Sequence, residues 1–142
     1  MHEITLLGLP ECLAALDAML AAAQTSAARP MALAVVNAYG ELMLFARMDG
    51  ASPATQDFAF KKAYTAARMG ADLKDFRASL EQRGRSVSDY GDANLVGMAA
   101  GGVVITDGGG ALGGIGVSGG TPDEDEQIAR VGLKALRESQ DG

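Results

Sequence analysis

More than half of the chain's 19 glycines fall between Gly101 and Gly120, and that density restricts what the segment can become. Glycine concentrates where a chain turns tightly or where a second backbone comes close. Residues 98–106 and 111–117 are apolar runs on either side of Asp107-Gly108-Gly109-Gly110, so the segment reads as a hairpin with a glycine-dense tip. Earlier in the chain, the apolar run 31–36 and the alternating run 41–48 flank Asn37-Ala38-Tyr39-Gly40, and they read as a second antiparallel hairpin.

Four helices are expected around these hairpins. From Leu9 to about residue 23, Pro10 suits a first turn, and Leu13, Leu16 and Leu20 recur on one face. Ser52-Pro53 signals a cap and first turn for a helix to Met69, with Gly70 as its stop. Its interior carries Ala59, Ala63, Ala66 and Ala67, small enough for close approach to a sheet. Asp72 caps a third helix whose Leu73, Phe76 and Leu80 share a face and whose stop is Gly84. Residues 85–97 carry conflicting signals and read as irregular or as a short helical turn. Thr121-Pro122-Asp123-Glu124 opens the last helix as a capping box, and Lys134 and Arg137 are expected near its end. The order is α-β-β-α-α-β-β-α, an α+β fold in which one antiparallel sheet from two hairpins is flanked by helices.

At 142 residues the chain suits one domain, 1–142, around one core. Eighteen acids against twelve bases give a net charge of -6, which disfavours a phosphate backbone, so no nucleic-acid partner is expected. The opening MHEITLLGLPE has no basic stretch before a long apolar run, and no segment approaches spanning length, so a cytoplasmic protein with no membrane partner is expected. Cys12 and His2 are the chain's lone cysteine and histidine, and they are too few for a zinc cluster, so no metal site is expected. Cys12 reads as a buried thiol and His2 as a tail residue.

Gly114-Ile115-Gly116-Val117-Ser118-Gly119 fits the dinucleotide pattern G-x-G-x-x-G. A dinucleotide unit needs a further strand ending in an acid after the helix, and the residues up to Gly142 offer none, so structural glycines are the preferred reading. The Ser118-Gly119-Gly120 turn still runs into a helix N-terminus, a generic anion site for which Asp123 to Glu126 compete. Arg47, Asp49 and Lys62 are the other polar residues of interest, at a strand end, in the next loop and on the alanine-rich helix. Individually such charges usually lie on the surface. Lys62 stands closest to a packed face, where a lysine binds an acid or, if desolvated, acts as a base. Met48, Met69 and Met98 are candidate thioether donors to a haem iron.

Several stretches resemble, in order and spacing, the GlcG/HbpS-like family over about residues 10–137. They are Phe45-Ala46-Arg47-Met48-Asp49-Gly50-Ala51, then Lys62-Ala63-Tyr64-Thr65-Ala66, then Gly101-Gly102 followed by Gly114 to Gly119 and Asp125-Glu126. Asn37 stands where the family usually has Asp, and Val103-Val104 replaces its usual proline-containing step. The resemblance implies a homo-oligomer that binds a small anionic or planar ligand, with haem or another tetrapyrrole as the leading cofactor. It includes haem-binding and haem-degrading members and the C-terminal domain of corrinoid adenosyltransferases, and many members belong to catabolic operons. On this reading the ligand-binding residues are Arg47, Asn37, Gly102, Ser118, Gly119 and Glu126. The alternative is a catabolic enzyme, an isomerase or hydrolase of an organic acid. It would use Arg47 to hold the carboxylate, Lys62 and Asp49 for proton transfer, and the Ser118-Gly119 turn to steady developing charge.

Overall fold

The computed structural model describes residues 6–26 and 29–141, so His2 lies outside the described residues. The elements follow the expected order: α1 (Leu9–Ser26), β1 (Ala32–Asn37), β2 (Leu42–Arg47), α2 (Pro53–Met69), α3 (Leu73–Arg83), a short 3-10 turn (Val87–Tyr90), β3 (Gly102–Thr106), β4 (Ala111–Ser118) and α4 (Pro122–Asp141). The caps are those that the residues announce. Ser52 accepts from the Thr55 N–H at 3.1 Å, and Gly70 and Gly84 close α2 and α3 in the left-handed conformation at φ 65° and 61°. Thr121 and Glu124 bond reciprocally at the start of α4, at 2.8 and 3.2 Å.

Three expectations change. The strand expected from residue 98 begins only at Gly102, because Gly101 takes φ +93° and breaks the extended run. Asp72 stands at the N-cap of α3 as expected, but its carboxylate makes no capping bond; it accepts from the Val104 N–H at 3.0 Å and pairs with Arg130. Helix α4 continues to Asp141, so Lys134 and Arg137 lie inside it and its last turn carries no base.

The two hairpins join through their inner strands, giving an antiparallel sheet of order β2-β1-β4-β3. Strand alternation divides its side chains between two layers. Leu33, Val35, Val103, Ile105, Ile115 and Val117 point to one face and pack with Cys12, Ala15 and Met19 of α1 and Ile128, Leu133 and Leu136 of α4. Burial, helped by Glu11, pushes the Cys12 thiol up to about 11, so it sits in this core as a protonated, inert group.

The opposite face is nearly free of side-chain bulk, and α2 lies directly on it. Ala32, Ala34 and Val36 meet Ala59, Ala63 and Ala67. A methyl group added at Gly116 would sit 2.0 Å from the Ala59 carbonyl oxygen, and one at Gly114 2.2 Å from that of Ala63. At Gly102 it would lie 2.7 Å from the Lys62 carbonyl oxygen. The glycines of the dinucleotide-like motif are therefore a bed for a helix, and the bed decides where Lys62 rests. Alongside α2, Tyr64 donates to Asp92 at 2.7 Å and the Thr65 hydroxyl accepts from the Val96 N–H at 3.0 Å, pinning the irregular stretch before β3. Among the described residues no helix is long and apolar enough to cross a membrane.

Candidate functional site

Lys62 lies on the buried face of α2, in phase with Ala59, Ala63 and Ala66, and is 3% exposed. An ammonium group there needs partners, because desolvating an unpaired charge costs several kcal/mol (~3–5 when a pair is broken). It donates to the Val117 carbonyl at 2.8 Å and to Asp125 Oδ2 at 3.0 Å. Asp125 comes from the first turn of α4 and is 4% exposed; its Oδ1 accepts from the Gly120 N–H at 2.9 Å. Burial pushes the Asp125 carboxyl above the ordinary carboxylate range, against the opposing pull of the Lys62 charge and hydrogen bond and of the Gly120 N–H.

Gly101 makes room for this pair. A methyl group there would meet Lys62 Nζ at 2.9 Å, Asp125 Cβ at 2.8 Å and the Val117 oxygen at 2.7 Å. Its own N–H donates to Glu126 Oε1 at 3.1 Å. Glu126 Oε2 then pairs with Arg130 Nε at 3.0 Å, and Arg130 continues to Asp72 at the start of α3. The chain bend beside Lys62 is thus held by a charged relay joining α3 and α4.

The ion pair forms one side of a pocket of about 250 Å³ lined also by Met98, Ala99, Ala100, Ser118, Gly119, Gly120 and Pro122. At the α4 N-terminus two of the donors that an anion would seek are already taken: the Gly120 N–H by Asp125 and the Thr121 N–H by Glu124. What the pocket offers a ligand is therefore side-chain chemistry, the ammonium of Lys62 and the hydroxyl of Ser118, between small apolar walls.

Of the site residues named from the sequence, Lys62, Ser118 and Gly119 line this pocket. Gly102 lies beneath α2 against the Lys62 backbone, and Glu126 sits behind the pocket on Gly101. Arg47 shares a cross-strand row with Ala32 and Ser118. Its guanidinium is exposed and donates to Gln56 of α2 at 2.9 Å, so it is not among the lining residues. Asp49 is exposed in the loop after β2. Asn37 lies at the far end of β1 from Ser118, five residues or about 17 Å away. There its Oδ1 accepts from the N–H groups of Tyr39 and Glu41 at 2.9 and 3.0 Å, closing the turn. Among the candidate thioethers, Met98 lines the pocket, the Met48 sulfur accepts from the Met31 N–H at 3.4 Å, and Met69 packs against the α3 cluster.

Asp125 is the residue that sequence reasoning missed as a partner for Lys62. It was legible, since Asp125, Ile128, Ala129, Gly132, Leu133 and Leu136 form one helical stripe, and an acid in phase with an apolar stripe is a buried acid in need of a partner.

Comparison with known proteins agrees with this architecture. The family described as haem degrading protein HbpS-like matches residues 7–134. The uncharacterised 15.0 kDa protein in the dhaT-dhaS intergenic region of Citrobacter freundii is 30% identical over 113 residues, covering 77% of this chain and 78% of that protein. A double mutant of HbpS from Streptomyces reticuli has a crystal structure that superposes with a TM-score of 0.84 at 32% identity, covering 96% of this chain and 90% of that one. The crystal structure of a PduOC:haem complex superposes with a TM-score of 0.81 at 25% identity, covering 92% and 95%.

Proposed function

The chain belongs to the HbpS-like family, and on that premise we propose that it is a homo-oligomeric binding protein for a small anionic or planar ligand, with haem or another tetrapyrrole first among the candidates. The observation that carries this reading is the Lys62 ammonium, 3% exposed yet lining an open pocket. A cation so buried is expensive to place, and an anionic group on the ligand gives it a use. The relative with haem in its structure supports the tetrapyrrole. The residues fit such a ligand at its edge: Lys62 suits a propionate arm, and the Met98 thioether is the soft donor on the pocket wall. The chain has a single histidine, and the donor on the pocket wall is a thioether, so affinity is expected to be moderate.

Titrating the protein with hemin is expected to shift and sharpen the Soret band along a saturable curve. A spectrum indistinguishable from that of hemin with an unrelated acidic protein would remove the tetrapyrrole from the reading.

Self-association is proposed on a second observation. Leu6, Leu9, Tyr39 and Leu42 are 65%, 52%, 65% and 51% exposed, and β2 is an edge strand, features that a partner copy covers. Sedimentation at micromolar concentration is expected to show a species larger than 14.5 kDa; a solution holding only the 14.5 kDa chain would contradict it.

The pocket's compactness favours the catabolic enzyme as a second reading. About 250 Å³ falls below the roughly 300–1,000 Å³ of common ligand pockets and suits a short organic acid. Turnover of such an acid without hemin binding would select it.

A further inference from the structure

We infer that the Ser118 hydroxyl and the Lys62 ammonium together form a receptor for one carboxylate group on a short, slender arm. The inference rests on the binding role proposed above and names the ligand's chemistry. Ser118 ends β4 on the same sheet face as Gly116, the face that α2 covers, so its side chain and that of Lys62 enter the pocket from one side. Ser118 is 5% exposed, yet its hydroxyl makes no hydrogen bond to any described residue. Among the described residues no fully buried side-chain oxygen or nitrogen lacks a partner. The Ser118 oxygen is therefore not fully buried, and with Ser118 on the pocket wall a ligand there can serve as its partner.

Lys62 supplies the second contact. An ammonium has three N–H groups, and Lys62 spends two, on Val117 and Asp125. A carboxylate has two oxygens, one for the remaining Lys62 N–H and one for the Ser118 O–H, a charge-assisted arrangement of the strong kind.

Charge and size narrow the class. Lys62 and Asp125 cancel, and both Asp125 oxygens are engaged, on Lys62 and Gly120. The site thus suits a single monoanion; a phosphate dianion would meet the Asp125 charge with greater repulsion. Ala99, Ala100, Gly119, Gly120 and Pro122 wall the remainder, leaving room for an unbranched arm. A haem propionate and a free short-chain acid share this chemistry.

The experiment compares hemin, hemin dimethyl ester and propanoate on the wild type and on Ser118→Ala. Because the hydroxyl has no partner among the described residues, Ser118→Ala is expected to keep the wild-type Tm. The wild type is expected to bind hemin about tenfold or more tighter than the diester, the worth of one charge-assisted hydrogen bond. In Ser118→Ala, where only the Lys62 N–H remains for the carboxylate, that preference is expected to shrink severalfold, and propanoate is expected to compete for the wild-type site. Propanoate binding that is lost in Ser118→Ala, with no hemin binding, would uphold the receptor and assign it to a free acid. Equal affinity of the wild type for hemin and its diester, or unchanged hemin and propanoate binding by Ser118→Ala, would overturn the receptor and leave the tetrapyrrole reading standing. Binding of neither hemin nor propanoate would overturn both.

Discussion

Replacing Lys62 alone by methionine is expected to destabilise the protein by about 3–5 kcal/mol, because it leaves the Asp125 carboxylate buried without its cation. Replacing both partners, Lys62→Met with Asp125→Asn, is expected to recover most of that loss. The asparagine is neutral and keeps an oxygen for the Gly120 N–H. The same pair of variants separates a pH effect. Burial raises the folded-state pKa of Asp125 above its ordinary value of 3.8, so the ionised form is disfavoured in the fold. The stability linked to that proton is fully present below 3.8 and is lost as pH rises through the raised value. Without Lys62 two lowering influences, its charge and its hydrogen bond, disappear and the shift grows. The single variant should therefore approach the double variant in acid and fall away from it towards neutral pH. Urea unfolding of both across that range measures the difference. A single variant within about 1 kcal/mol of wild type at neutral pH, the scale of an exposed pair, would show that the pair is hydrated.

Gly116→Ala is expected to be comparably damaging, at or above the roughly 3 kcal/mol upper end of ordinary overpacking. Its new methyl group would lie 2.0 Å from the Ala59 oxygen and 2.5 Å from the Ala63 nitrogen. Both are backbone atoms, so no flexible side-chain tip can yield and α2 itself has to lift. The lift also carries Lys62 away from Val117 and Asp125, so ligand affinity should fall with stability. Gly110→Ala is the control, because a methyl group there meets nothing within 4 Å; it is expected to stay within about 0.5 kcal/mol of wild type. Denaturation midpoints of the two variants decide the matter. A Gly116→Ala protein as stable as the control would mean that α2 does not rest on the sheet as closely as these contacts require.

Much of the fold was legible because its causes are local. The Ser52-Pro53 and Thr121-Pro122 helix starts, the glycine stops at positions 70 and 84, and the two hairpin turns each depend on residues within a few positions of one another. The strand expected at residue 98 failed for a reason equally local but harder to see. A run such as Met98-Ala99-Ala100 is apolar enough for a strand, and the positive φ at Gly101 that releases it into the pocket wall is an option glycine permits and does not demand.

The site was less legible. Sequence alone brought Lys62 close to a packed helix face and held, unread, the phase of Asp125 with Ile128, Ala129 and Leu133; a charge on such a face needs a partner of opposite sign. Tertiary structure alone decided that they are partners, across 63 positions of chain. It also decided that the inner strands of the two hairpins pair, bringing Ser118 to the row of Ala32 and Arg47 while sending Asn37 to the opposite end of the sheet. The physical reason is range. Capping, turns and periodicity are settled by bonds within one or two turns of chain. Strand order and the meeting of two buried charges are settled by how closely a helix can settle onto glycine, a quantity that exists only once both layers are in place.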